Sequence, residues 1–239
     1  NELEFKNDIV TLNIQNIIAN HPVYPIVKND LLRYFLYHGV GTNEGVGLVV
    51  LDPNNFESIP NLDGYGQEAV YAYPWAIGEG HTFNTSTWQE REEVVDFIEN
   101  GVPDNAIVAF LTLQKGFDAD HYASEWANDS LQYGTNIFQA LEARGATQAR
   151  ALANGNPVPY GFFYQENNSD FINAEQVSSN PYDIMNVTAQ AQGNFTQGFI
   201  KSQHIGPASS WGSLEYSLTG VENTDSTLIK VFGIDQANV

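Results

Sequence analysis

The sequence predicts an α/β body followed by a mainly antiparallel, β-sandwich-like region, on three observations. Two continuous apolar runs, 45–51 (GVGLVVL) and 107–113 (IVAFLTL), read as strands buried on both faces. A well-signed helix lies between them. From about residue 183 the helical period disappears, and short β-prone pieces alternate with Gly, Asn and Pro.

Residues 1–44 read as an N-terminal strand and connector. Ile9, Leu12, Ile14, Ile17 and Ile18 are set among polar residues in a strand-like alternation, until Pro22 and Pro25 break it. Asp30 is placed to cap the apolar stretch 31–37, which is too short to assign.

Residues 45–168 read as the α/β domain. The first apolar run ends in the turn sequence Asp52-Pro53-Asn54-Asn55. The longest irregular stretch, 60–87, follows. Thr87 with Glu90 three residues on forms a capping box, and Val94, Val95, Phe97 and Ile98 make one apolar face. Gly101 stops that helix and Pro103-Asp104-Asn105 turns the chain into the second apolar run. Strand, helix, short turn and strand in that order are what a parallel βαβ crossover requires. A second helical stretch covers 121–144, with Leu131, Phe138 and Leu141 on a shared face and Gly145 as its C′ residue. Tyr160-Gly161-Phe162-Phe163-Tyr164 is a third strand. Residues 169–239 read as a β-rich domain, with strand pieces at 184–189, 195–205, 214–218 and 227–234.

Composition excludes several function classes. The 239 residues contain no cysteine, so no thiol nucleophile, Cys-ligated zinc or disulfide exists. Acidic residues outnumber basic ones 29 to 9, for a net charge of −20, which repels nucleic acid. No apolar run approaches the roughly 20 residues that span a bilayer. Few lysines, many Asn, Gln, Ser, Thr and Gly, and abundant aromatics suggest a secreted protein or one at a bacterial cell surface. The chain opens on Asn1, which reads as a processed or excised piece whose neighbours are domains of a larger parent.

The 45–168 region resembles the ILEI/PANDER-like domain family. The similarity is carried by Gly47-Leu48-Val49-Val50-Leu51-Asp52-Pro53, Val94-Val95-Asp96-Phe97-Ile98 and Val102-Pro103-Asp104-Asn105-Ala106-Ile107-Val108. Ala140-Leu141-Glu142-Ala143-Arg144-Gly145-Ala146 and Pro159-Tyr160-Gly161-Phe162-Phe163 extend it. The tail, with His204-Ile205-Gly206-Pro207-Ala208-Ser209-Ser210-Trp211-Gly212-Ser213-Leu214, Asp225-Ser226 and Val231-Phe232-Gly233-Ile234-Asp235, looks like the region downstream of the peptidase in gingipain-like surface proteins of Bacteroidota. Those proteins leave the cell by the type IX secretion system. The resemblance implies a mixed sheet with flanking helices, a β-domain after it, and a non-catalytic role in glycan or protein binding. The chain departs from the family pattern in longer aromatic and acidic insertions at 61–87 and 114–130.

Two clusters are candidate sites. Tyr71, Tyr73, Trp75, His81 and Trp88 concentrate aromatic rings in one loop, and flat rings pack against the apolar C–H faces of sugars. The alternative is that these rings cover the core and pin a long loop down. Asp118 and Asp120, with Glu125 and Asp129 beyond, supply the oxygen ligands a hard cation such as calcium wants. That segment lacks the glycine and distal Glu of an EF-hand loop, and a solvated acidic loop before a helix is the competing reading. Trp126 and Trp211 read as core or domain-junction residues. The five histidines show no zinc spacing, and neither a Gly-x-Ser-x-Gly elbow nor a phosphate loop occurs. The expected function is therefore a non-enzymatic module of a secreted surface protein, binding a glycan or a surface protein, with no cofactor required and calcium allowed by the charge but not demanded. An extracellular hydrolase using acidic residues, and a purely structural spacer or assembly subunit, are the alternatives.

Overall fold

A computed structural model describes residues 9–16, 26–28, 33–35, 44–59, 62, 67–68, 80–114, 120–155, 157–193 and 212. The chain divides into two compact units, Asn1–Gln197 and Gly198–Val239. The strand pieces expected at 195–205, 214–218 and 227–234 lie outside the described residues.

The first unit combines helices with two antiparallel sheets in three layers. The central sheet has six strands in the order β5 (Gln67–Glu68), β6 (His81–Asn84), β4 (Glu44–Leu51), β7 (Ile107–Gln114), β8 (Tyr160–Gln165) and β9 (Ala174–Val177). The second sheet has four strands, in the order β10 (Met185–Gln192), β1 (Ile9–Asn16), β2 (Ile26–Lys28) and β3 (Arg33–Phe35). It packs on one face of the central sheet, and the helices cover the other.

The two apolar runs are β4 and β7, and their lack of alternation has the expected cause: both faces are covered. Val46, Leu48 and Val50 of β4, Val108 and Phe110 of β7, and Phe162 and Tyr164 of β8 meet the helices. Val49 and Leu51, then Ile107, Ala109 and Leu111, face Val10, Leu12 and Ile14 of β1 and Val187 and Ala189 of β10. β10 alternates buried and exposed residues, and β1 alternates buried with half-buried ones after the exposed Ile9. The sheets approach closely at Gly161, where an added Cβ would come within 3.0 Å of Met185 Cε and Val187 Cγ2.

The expected parallel crossover from β4 to β7 is corrected: the two strands pair antiparallel, from Glu44↔Gln114 to Leu51↔Ile107. The reason is the intervening strand β6, in the stretch read as irregular. β6 pairs antiparallel with the other edge of β4. β6 and β7 therefore run parallel to each other, joined by the helix, with β4 inserted between them. The strand–helix–strand unit exists, but its first strand is β6.

That helix, α1 (Trp88–Asp96), runs on into a π turn at Phe97–Gly101. Its start has the geometry the sequence signals. Thr87 Oγ1 accepts from the Glu90 N–H at 3.3 Å, and the Thr87 N–H donates to Glu90 Oε2 at 2.8 Å. Thr87→Ala is expected to lower unfolding stability by about 1 kcal/mol, measured by urea titration; a change within error would show that tertiary packing alone sets this terminus.

The second helical stretch is not one helix. It comprises α2 (Ala123–Trp126), a 3-10 turn (Ala127–Asp129), α3 (Ser130–Tyr133), α4 (Ile137–Glu142) and, further on, a 3-10 turn (Ala149–Ala153). Gly134 takes a left-handed φ of 85° and ends α3. Asn136 then starts α4 afresh, its side chain accepting from the Gln139 N–H at 2.9 Å. The break rotates the apolar face, so Phe138 and Leu141 are buried while Leu131 is 85% exposed. Gly145 does follow the last turn, where the Ala146 N–H reaches back to Leu141 O at 3.1 Å.

The expected segment boundaries at 44/45 and 168/169 fall inside the first unit. β1 comes from the expected connector and β10 from the expected β-rich domain, yet they pair with each other over eight residues. β9, also beyond residue 168, completes one edge of the central sheet's described order.

Candidate functional site

Three polar clusters, the first of them buried, tie the helical layer down. In the first, Arg91 of α1 meets Asp129 in a two-pronged ion pair, Nε to Oδ2 at 2.6 Å and Nη2 to Oδ1 at 2.8 Å. Both residues are almost fully buried, and Arg91 Nη1 also donates to Thr85 O at 2.8 Å. Nearby, the backbone carbonyl of His121 accepts from Thr85 Oγ1 and from Trp126 Nε1. The His121 imidazole is buried with neither nitrogen bonded. Burial pushes its pKa down to about 4, against a smaller upward pull from Asp120.

In the second cluster, Arg144 donates to both carboxylate oxygens of Glu166 at 2.8 and 3.1 Å, and to Ile98 O at 2.6 Å. In the third, the Tyr160 hydroxyl donates to Glu175 Oε1 at 2.7 Å, while the same carboxylate accepts from the N–H groups of Thr147 and Gln148. Burial, followed by the bond to Glu175, drives the Tyr160 hydroxyl far above the ordinary phenol range, so it stays protonated. These are internal clamps, and each closes on itself.

Among the described residues, an open feature lies at one end of the sheets. β4 and β8 end there, β7 and β1 begin there, and β10 finishes there. The connecting turns border an open hollow of about 800 Å³. Its polar lining includes Asp52, Asn54, Asp104, Asn105, Gln165 and Asp170. Ile9 and Ile172, both well exposed, contribute apolar surface.

The turns are held from within. Asp52 Oδ1 accepts from the Asn54 N–H at 2.7 Å and from Asn54 Nδ2 at 2.9 Å. Phe56 adopts a left-handed φ of 58°, and its side chain is buried between the sheets, anchoring the 52–57 loop. The Asn105 N–H donates to Glu166 O, the Glu166 N–H to Ala106 O, and Gln165 Nε2 to Asn105 O. Asn167 Nδ2 donates to Asp104 Oδ1 at 2.6 Å. Glu166, whose backbone pairs with the lining residues Asn105 and Ala106, is the carboxylate that Arg144 holds. No basic side chain is among the hollow's described lining residues.

Of the residues singled out from sequence, some are described and some are not. Tyr71, Tyr73, Trp75 and Asp118 lie outside the described residues. His81 is buried on β6, its ring centroid 4.7 Å from that of Phe97, and therefore belongs to the core beneath α1. Trp88 opens α1 and is 39% exposed. Asp120 is half-buried, and its carboxylate accepts from the Tyr122 N–H at 2.8 Å. Asp129 is committed to Arg91. Among the described residues, no three His, Asp or Glu side chains gather as a metal-holding group. Trp126 is fully buried, 5.1 Å from Phe138 between ring centroids, as expected for a core residue.

The hollow was not visible as a site in the sequence, although its residues were. Asp52-Pro53-Asn54 and Pro103-Asp104-Asn105 carry a turn signal; nothing local says that these turns converge. No protein-family model matches the chain, and no curated protein matches it.

Proposed function

We propose that this chain is a non-catalytic, glycan-binding module of a secreted bacterial surface protein, in line with its resemblance to ILEI/PANDER-like domains and to the regions that follow the peptidase in gingipain-like proteins. The observation that carries the reading is the hollow: open, rigidly framed, and lined by amides and carboxylates beside exposed isoleucines. Amide groups offer a donor and an acceptor in one plane, and carboxylates accept from pairs of hydroxyls. Apolar patches cover the C–H faces of a sugar. Loop residues on a fixed scaffold are a common place for such recognition.

The test is a glycan array followed by titration calorimetry on the best-retained neutral glycan. Asp170→Ala and Ile172→Ala alter exposed side chains of the hollow and leave the core intact. Each is expected to weaken binding at least five-fold while thermal unfolding stays unchanged. Retained affinity in both variants would remove the hollow from consideration. Retention of proteins but no glycan would replace this reading by a protein-contact one.

A further inference from the structure

The outward face of the β1–β10 pair has an unusual composition; the basic positions Lys28 and Arg33 stand next in register to Asn13 on β2 and β3. β1 and β10 pair residue for residue, so their outward side chains form four rungs: Gln15 opposite Asn186, Asn13 opposite Thr188, Thr11 opposite Gln190, and Ile9 opposite Gln192. None is charged, in a chain with 29 acidic and 9 basic residues. Seven of the eight carry an amide or a hydroxyl. On β10 all four are exposed, whereas on β1 Ile9 is exposed and Thr11, Asn13 and Gln15 are half-buried.

Two rungs are cross-linked by side chains. Asn13 Nδ2 donates to Thr188 Oγ1 at 3.1 Å, and Gln15 Nε2 donates to Asn186 Oδ1 at 3.3 Å. These bonds hold the polar groups in place before any ligand arrives, which lowers the ordering cost of binding. The far end of the strip is continuous with the hollow, because Ile9, Gln190 and Gln192 belong to both. Six residue steps from Asn186 to Gln192, at about 3.3 Å each, make a strip about 20 Å long.

We infer that the outward face of the β1–β10 pair, running into the hollow, is an extended binding strip for a linear, uncharged oligosaccharide. The inference rests on the glycan-binding reading of the hollow and names the kind of glycan and its direction. A regular array of donors and acceptors matches a ligand with hydroxyls along its length. The carboxylates of the hollow and the net charge of −20 disfavour uronates and sulfated chains. The uncharged strip itself offers a cationic ligand no counter-charge.

The deciding measurement compares neutral gluco-, manno- and galacto-oligosaccharides of two and of six residues, together with a hexauronate, by calorimetry. The six-residue form of the preferred sugar is expected to bind at least ten-fold more tightly than its two-residue form. Asn186→Ala/Thr188→Ala, which leaves the hollow untouched, is expected to abolish that advantage and to leave the two-residue affinity unchanged. Amide-exchange mapping of the wild-type complex is expected to show added protection over 185–192. Equal affinity for both lengths, equal binding of the hexauronate, or an advantage that survives the double substitution would overturn the strip, while the hollow reading stands if the short sugar still binds. If no oligosaccharide of either length binds, both readings fall.

Discussion

Replacing Asp129 with alanine is expected to lower unfolding stability by about 3–5 kcal/mol. The guanidinium of Arg91 is buried, and three of its N–H groups are directed at fixed acceptors, two of them on Asp129. Removing the carboxylate leaves a cation with only Thr85 O identified as its remaining partner, away from water. The pair itself contributes less than that figure suggests, because both charges were desolvated to form it. Arg91→Met/Asp129→Leu is therefore expected to be much closer to wild type than either single change. Urea titrations of the four proteins form the cycle. Additive losses in the double variant would show that the two side chains do not act as a unit. Since Arg91 sits on α1 and Asp129 just before α3, the single variants are also expected to loosen the helical layer before the sheets.

Acidification is expected to destabilise the protein through His121 by about 3 kcal/mol once pH falls to 4, at about 1.4 kcal/mol for each unit of pKa displacement. The folded-state pKa of about 4 lies below the ordinary histidine value of 6.5. Above pH 6.5 the ring is neutral in both states and contributes no pH dependence. Between 6.5 and about 4 the unfolded chain takes up a proton that the folded chain refuses, so stability falls throughout that window. Below about 4 both states are protonated and the loss is complete. His121→Leu removes this titration. Its stability is expected to vary less between pH 7 and pH 4 than that of the wild type, by roughly the same 3 kcal/mol. Identical pH profiles for the two proteins would mean that the ring finds water or a partner on protonation. Burial beside Trp126, with the backbone carbonyl and not the ring making the hydrogen bonds, is the physical basis of the effect.

Parts of this architecture are legible in the sequence for identifiable reasons. β4, β7 and β8 announce themselves because both their faces are covered, which forces continuous apolar runs. The start of α1 is legible because a capping box is a local device confined to Thr87 and Glu90. Strand direction is not local. β6 is four residues, His81-Thr82-Phe83-Asn84, in a stretch without a period, and without it β4 and β7 read as parallel neighbours. The break at Gly134 and Asn136 is written in residue types that signal caps, while the spacing of Leu131, Phe138 and Leu141 imitates one continuous apolar face. The hollow shows the same limit. Its turn residues are recognisable individually, and only the strand order brings Asp52, Asp104 and Asp170 to one end.

The pairing of Ile9 with Gln192 and of Asn16 with Met185 has a consequence for how the chain acquires its structure. The strand made near the beginning must wait for one made more than 150 residues later before its ladder closes. Such distant partners slow folding, because a long loop loses its freedom before any contact compensates. Until then the inner surface of β7 and β8 lacks its cover, leaving Leu111 and Phe163 open to unwanted association. The polypeptide is thus a latecomer to its own shape, and loss of either β1 or β10 is expected to leave the other without that ladder.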